Sequence, residues 1–357
     1  MKQSELLIVN FVATGARILV IIAVGFFLTR ILVKELGLEV FGLFTTIGAS
    51  GMLLTMVTNT LQLSIARELG VCVGEDDSQK LAQAFSSSFF IQLVAGLGFL
   101  LLGILLTGPI TAGLTIPAGY ENATWICLIL TFVQFAVGII ASPFGAMIRA
   151  HQHIRTISVL QSAFKIAIFM CALWMIVWPG NKLIFFVVAS LICHIILQIL
   201  HVWISLRRYP ASFPRRSAYS TKIARSIFRY ASLALMGGIG GQVRRNGIAI
   251  ILNVFFGNIV TAANGIAIRL SGLIAQFVGI ILPVIQPAIN SNQGAGNKDF
   301  VARMIPLSST LGLAITIPIA IPLVFDTETL LMFWLDTPLP KYAVLFAQLI
   351  TLSLIHI

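Results

Sequence analysis

Charged side chains are scarce in this sequence, and acidic ones scarcest. Lys and Arg number 23 and Asp and Glu 12, together 10% of 357 residues, while 58% are hydrophobic and the mean hydropathy is +0.99. A soluble domain carries roughly 25% charged residues, so this chain cannot coat itself for water. Short alternating segments, the mark of a membrane barrel, are also missing, and lipid then admits only helices, whose backbone groups are satisfied internally. There is no Walker A glycine loop, no HExxH and no acidic pair in or near a span that could serve a glycosyl transferase, which argues against the common nucleotide, zinc and glycosyl-transfer chemistries. The four cysteines have neither metal nor disulfide spacing. Cys127, Cys171 and Cys193 fall in apolar runs and Cys72 in an expected loop, and all four read as small apolar side chains. The apolar run after Lys2 and Glu5 is too long for a removable signal.

What the chain has is long apolar runs. About ten predicted spans cover 8–31, 40–65, 84–108, 123–148, 158–178, 183–205, 230–255, 260–288, 304–325 and 342–357. The predicted fold is therefore an all-α polytopic membrane protein. Its parts are an N-lobe of six spans (1–205), a basic linker (206–229) and a partial C-lobe of four spans (230–357). With the N-terminus inside, fourteen Lys and Arg fall at inner ends. Only Arg30, Lys34, Lys182 and Lys341 fall outside, so the N-terminus is placed in the cytoplasm and the acidic loop 326–341 outside. The net charge of +11 thus reflects loop bias rather than nucleic-acid binding. The linker holds seven Lys/Arg and no acid. It reads either as a helix at 217–229 on the anionic inner leaflet or as a plain connector. A shift of 220 residues pairs Ile31 with Ile251, Leu32 with Leu252, Gly37 with Gly257 and Leu53 with Leu273, a weak internal repeat of the kind transporters carry. The last span, about 24 Å of helix, falls short of a hydrocarbon core of roughly 30 Å, so a longer protein is expected.

Five cations lie where lipid should be: Arg17 in span one, Lys165 in span five, Arg244 and Arg245 in span seven, and Arg269 in span eight. Each costs roughly 2.5–3.5 kcal/mol at a helix centre by insertion scales. All twelve acids fall in loops or near chain ends, so the spans offer no carboxylate to pair with them. The cations then either line a hydrated cavity or await an anion, and arginine suits phosphate through its planar donor fork. Polar neighbours share their faces. Asn10 and Thr14 accompany Arg17, Ser158 and Gln161 accompany Lys165, and Gly265, Gly272 and Gln276 accompany Arg269. Gly237, Gly238, Gly240 and Gly241, one turn before Arg244, mark an expected hinge, and Pro283 and Pro287 dispose span eight to kink. His151 and His153 flank a basic inner loop. His194 and His201 share one face of span six and read as packing or interfacial residues.

Several short segments resemble a known family. Thr29-Arg30-Ile31-Leu32, Glu35-Leu36-Gly37, Phe41-Gly42 and Ala66-Arg67-Glu68-Leu69-Gly70 resemble the first two spans of polysaccharide flippases of the multidrug/oligosaccharidyl-lipid/polysaccharide exporter superfamily. Pro287-Ala288-Ile289 through Gly294-Ala295-Gly296-Asn297 resembles the loop after span eight in the same superfamily, including its drug-exporting MATE branch. The resemblance implies two six-helix lobes, a central cavity and alternating access, with Arg17 and Arg269 matching cavity arginines of spans one and eight. It implies a transporter rather than an enzyme, flipping an undecaprenyl-diphosphate-linked oligosaccharide across a bacterial inner membrane for polysaccharide biosynthesis. Arg17, Lys165, Arg244, Arg245, Arg269, Asn10 and Gln276 are the expected binding residues. No cofactor or metal is expected, and the drive is left open between a proton, sodium and the membrane potential. Expected partners are the lipid-linked oligosaccharide, anionic lipids, and a polysaccharide polymerase with glycosyltransferases. The alternatives are a MATE-type multidrug antiporter and a membrane-bound sugar polymerase or ligase. The drug exporters generally use an intramembrane carboxylate, absent from these spans. A polymerase would want large outer loops.

Overall fold

A computed structural model describes residues 3–54, 56–75, 77–278 and 298–355. The described residues are almost wholly α-helical. The helices are α1 (Gln3–Leu54), α2 (Met56–Gly74), α3 (Ser78–Gly113), α4 (Glu121–Ala150) and α5 (Ile154–Val177). They continue with α6 (Lys182–Arg208), α7 (Thr221–Val278), α8 (Lys298–Phe325), α9 (Thr327–Leu335) and α10 (Ala343–Ile355). Among the described residues, six helical stretches are long and apolar enough to cross a membrane: Val12–Met52, Ser78–Gly113, Glu121–Ala150, Ile154–Val177, Lys182–Arg208 and Asn246–Gln276. The first, at 41 residues, is about twice one crossing, and it is broken.

The break falls at Gly37, with φ 74° and ψ 164°; α7 is broken in the same way at Gly257, with φ 80° and ψ −177°. This backbone region is essentially open to glycine alone. Each glycine stops a helix and lets another begin at once, so α1 and α7 each consist of two arms. The 220-residue pairing of Gly37 with Gly257 thus has a conformational counterpart.

By internal contacts the chain forms two compact units, 43–258 and 1–42 with 259–357. These divide the chain at different places from the sequence boundaries at 205 and 229. In unit 43–258, α4 is the hub, packing on α2, α3, α5 and α6. The burial pattern suits lipid as solvent. Along α3 the buried positions include Ser86, Ser87, Ser88, Gln92, Gly96, Gly103 and Thr107, whereas Val94, Leu97, Leu101 and Leu105 are exposed. Small and polar residues between helices, with apolar residues outside, are the reverse of soluble amphipathicity.

Three sequence expectations need correction. Cys72 lies in α2, fully buried in an apolar core, not in a loop. The stretch 217–229 is not a separate helix. Two 3-10 turns, Pro210–Ser212 and Arg216–Ala218, lead straight into α7. Ile223, Ala224, Ile227 and Ala231, one helical face, are buried in the core that also holds Ile65 and Leu69 of α2. The segment also docks on α3: Ser86 Oγ accepts from the Arg215 N–H at 3.1 Å, and Ser87 Oγ from the Ser220 N–H at 2.9 Å. Finally, 326–341 is not simply a loop. Thr327, Leu331, Trp334 and Leu335 make a buried stripe that winds α9. The Trp334 indole donates to the Phe26 carbonyl at 2.9 Å, and Arg30 pairs with Asp336 at 2.7 Å.

Candidate functional site

The cations singled out in the sequence divide between the two units. Arg17, Arg269 and Gln276 belong to unit 1–42 with 259–357; Lys165, Arg244 and Arg245 belong to unit 43–258, as do the four glycines from Gly237 to Gly241. The side chains of Asn10, Arg244 and Arg245 lie outside the described part, and Pro283 and Pro287 lie outside the described residues altogether.

Within the first of these units, the two arginines stand on helices that touch. A Cβ on Gly25 of α1 would come within 3.0 Å of the Leu273 side chain, so the first arm of α1 and the second arm of α7 are in contact there. Arg17 lies about two turns before Gly25 on α1, and Arg269 about one turn before Leu273 on α7. Arg269 holds its guanidinium 5.3 Å from the Phe41 ring centre, just beyond the Gly37 break. Both arginines are half-buried as whole residues, and the Arg17 Nε atom is itself buried. Gln276 donates to the Gly272 carbonyl at 3.3 Å, within its own helix.

Lys165 in α5 is also partly exposed, with its ammonium 5.7 Å from the Phe164 ring. Gly237 to Gly241 lie in helical backbone, and the non-helical residue of α7 among those described is Gly257. Carboxylates that make ion pairs among the described residues do so at helix ends: Asp336 with Arg30 and Lys34, and Glu75 with Lys80.

Sequence inspection missed a polar clamp at the α7 break. Thr115 donates its N–H to Asn253 Oδ1 at 2.9 Å, and Asn258 donates to the Thr115 carbonyl at 2.9 Å. Asn253 and Asn258 join each other at 2.7 Å, and both are buried. The signal in the sequence was two asparagines flanking a glycine inside an apolar run. The sequence also hid the approach of Cys171 to Cys193, whose sulfurs lie 3.8 Å apart across α5 and α6 as free thiols.

No protein-family model matches the chain, and no curated protein matches it by sequence. Solved structures do match in fold. A MOP superfamily transporter from Pyrococcus furiosus superposes with a TM-score of 0.72 at 12% identity, over 99% of this chain and 80% of that one. The MATE multidrug transporter DinF-BH, solved with a bound ligand, gives 0.72 at 15% identity, over 96% and 77%. A MATE structure in complex with MaL6 gives 0.71 at 10% identity, over 98% and 77%. At such identities the likeness is one of fold, and the fold is that of the MATE/MOP superfamily transporters.

Proposed function

We propose that this chain is a membrane transporter that flips an anionic lipid-linked oligosaccharide, its diphosphate held by arginines, by alternating access across a bacterial inner membrane. The observation that carries this reading is the pair Arg17 and Arg269, two arginines on touching apolar helices. Their planar donor forks suit a diphosphate whose lipid tail stays in the bilayer. The Pyrococcus furiosus transporter is described as having a binding pocket of reversed polarity that suggests a different function. A cationic pocket on this fold is in keeping with that variation. Lys165, Arg244 and Arg245 join the proposal as further cations along the path. On the N-in topology, Lys222, Arg225 and Arg229 are exposed beside Phe228 and Tyr230, a surface suited to anionic headgroups of the inner leaflet. Glycosyltransferases that supply the substrate and a polymerase that consumes it are the partners this reading calls for.

A multidrug antiporter is the second reading, favoured by the fold match to the multidrug transporter DinF-BH. The two differ in the charge they want. Arg269→Ala and Arg17→Ala should each lower flipping about ten- to hundredfold, the loss expected for one charged hydrogen bond of about 1.5–3 kcal/mol. Lysine should retain part of the activity and glutamate least. The measurement is outer-face appearance of lipid-linked sugar in cells lacking their own flippase. Equal activity in all three variants, or resistance to cationic dyes without flipping, would sink the proposal.

A further inference from the structure

Between residues 122 and 220 the chain has no Asp or Glu. In this unit α4 beyond its first residue, α5 and α6 therefore hold no carboxylate that could carry a proton through the membrane. The side chains there whose ordinary pKa lies near neutrality are the histidines, and two sit within α6. They are wired together. Gln198 Nε2 stands 3.2 Å from His194 Nε2, and Gln198 Oε1 stands 3.3 Å from His201 Nδ1. With the amide so oriented, it donates to a lone pair on His194 and accepts an N–H from His201. With both rings neutral, the free lone pair is on His201 Nε2. That atom is buried without a partner, in a residue only 6% exposed.

The surroundings make the relay sensitive to charge. From α4, Gly138 leaves no room: a Cβ there would lie 3.0 Å from His194 Nε2. One turn on, Ser142 Oγ is also buried without a partner. The charged group facing His201 from α4 is Arg149. From α5, Phe164 meets His194 edge-on at 6.0 Å, and Cys171 meets Cys193, next to His194. From the turn Pro210–Ser212, Ser212 accepts the Ser205 hydroxyl at 2.8 Å.

We propose that His194, Gln198 and His201 form the proton-binding site of the transport cycle, and that taking up a proton opens the seam between α4 and α6. A proton on His194 Nε2 turns an acceptor into a donor, so the Gln198 amide must flip, and its NH2 then requires the His201 proton to move from Nδ1 to the buried Nε2. A proton on His201 Nε2 puts an imidazolium beside Arg149 with no carboxylate in reach. Either way a buried N–H is left without an acceptor, which disfavours the packed seam. Linkage between proton and conformation is what coupling requires. This inference rests on the transporter reading but not on the substrate.

The test uses the full chain in detergent micelles with the four native cysteines replaced and one introduced by Ser142→Cys. Its maleimide labelling rate is divided by that of Ser217→Cys, an exposed control. The ratio should rise about tenfold between about pH 8 and pH 5.5, the range in which imidazole changes charge, and His194→Gln with His201→Gln should abolish the rise. A flat ratio, or the same rise without the histidines, would overturn the proposal. The unaltered chain labelled with 15N-histidine gives a second readout that no variant's misfolding can confuse. The two imidazoles of α6 should change protonation across that same range; if both stay neutral throughout, the site is structural. Because no substrate is present, failure here leaves the flippase reading standing, and failure of flipping leaves this one standing.

Discussion

His153, in the turn between α4 and α5, shows how a single residue ties this protein's stability to pH. Its Nδ1 meets the Tyr209 hydroxyl, and the His151 ring stacks on Tyr209 at 4.1 Å. Burial first, then the charges of Arg208 and His151, hold the His153 pKa below its ordinary value. The folded state therefore binds fewer protons here than the unfolded one, so stability is fully present above about pH 6.5 and declines as pH falls below it. The melting temperature in detergent should drop on acidification through that range, and His153→Asn should remove part of the drop; an unchanged slope would deny His153 this role. The cations in the apolar runs stand out in the sequence because a charge there needs no partner to be noticed. The joining of His194 to His201 through Gln198 was half legible, since spacing reveals a shared face but not the amide between. The two asparagines beside Gly257 were visible in the sequence, but their clamp on Thr115, like the meeting of Cys171 with Cys193, was not, because each joins elements that sequence spacing cannot relate.

At the scale of the helix, the informative comparison is between glycines. The sequence drew attention to the cluster from Gly237 to Gly241, where composition suggests a bend. The break in α7 instead belongs to the single residue Gly257, as that in α1 belongs to Gly37. Glycine number weakens a helix, but only a positive φ requires glycine, and composition does not report φ. An added Cβ would meet nothing within 4 Å at either break, so the cost of alanine there is purely conformational. Gly37→Ala and Gly257→Ala should each destabilise by about 1–3 kcal/mol. Thermal unfolding of the purified variants checks this; no loss in either would mean the break is not needed. The span boundaries were read well within α3 to α6, where loops punctuate the chain. They were read less well at 326–341, where a short apolar stripe in an acidic neighbourhood hid α9.

For the whole molecule, helix content and membrane class followed from composition, whereas the two contact-defined units did not, because hydropathy says nothing about which helices pack together. Orientation is open to direct measurement. Ser217 in the Arg216–Ala218 turn and Lys341 after α9 are both surface positions between helices. In a cysteine-less background, Lys341→Cys should react with an impermeant thiol reagent on intact spheroplasts and Ser217→Cys should not; the opposite pattern would invert the topology. The docking of 209–220 on α3 has a consequence for how the chain is made. The ribosome delivers the N-terminal side first, so α3 can already be in the bilayer when Arg215 and Ser220 emerge. Ser86 and Ser87 are then waiting acceptors, and the strap can close before the second arm of α7 leaves the exit tunnel. The strap gives the nascent chain a checkpoint, in which the first helices are assembled and held before the rest is committed to the membrane.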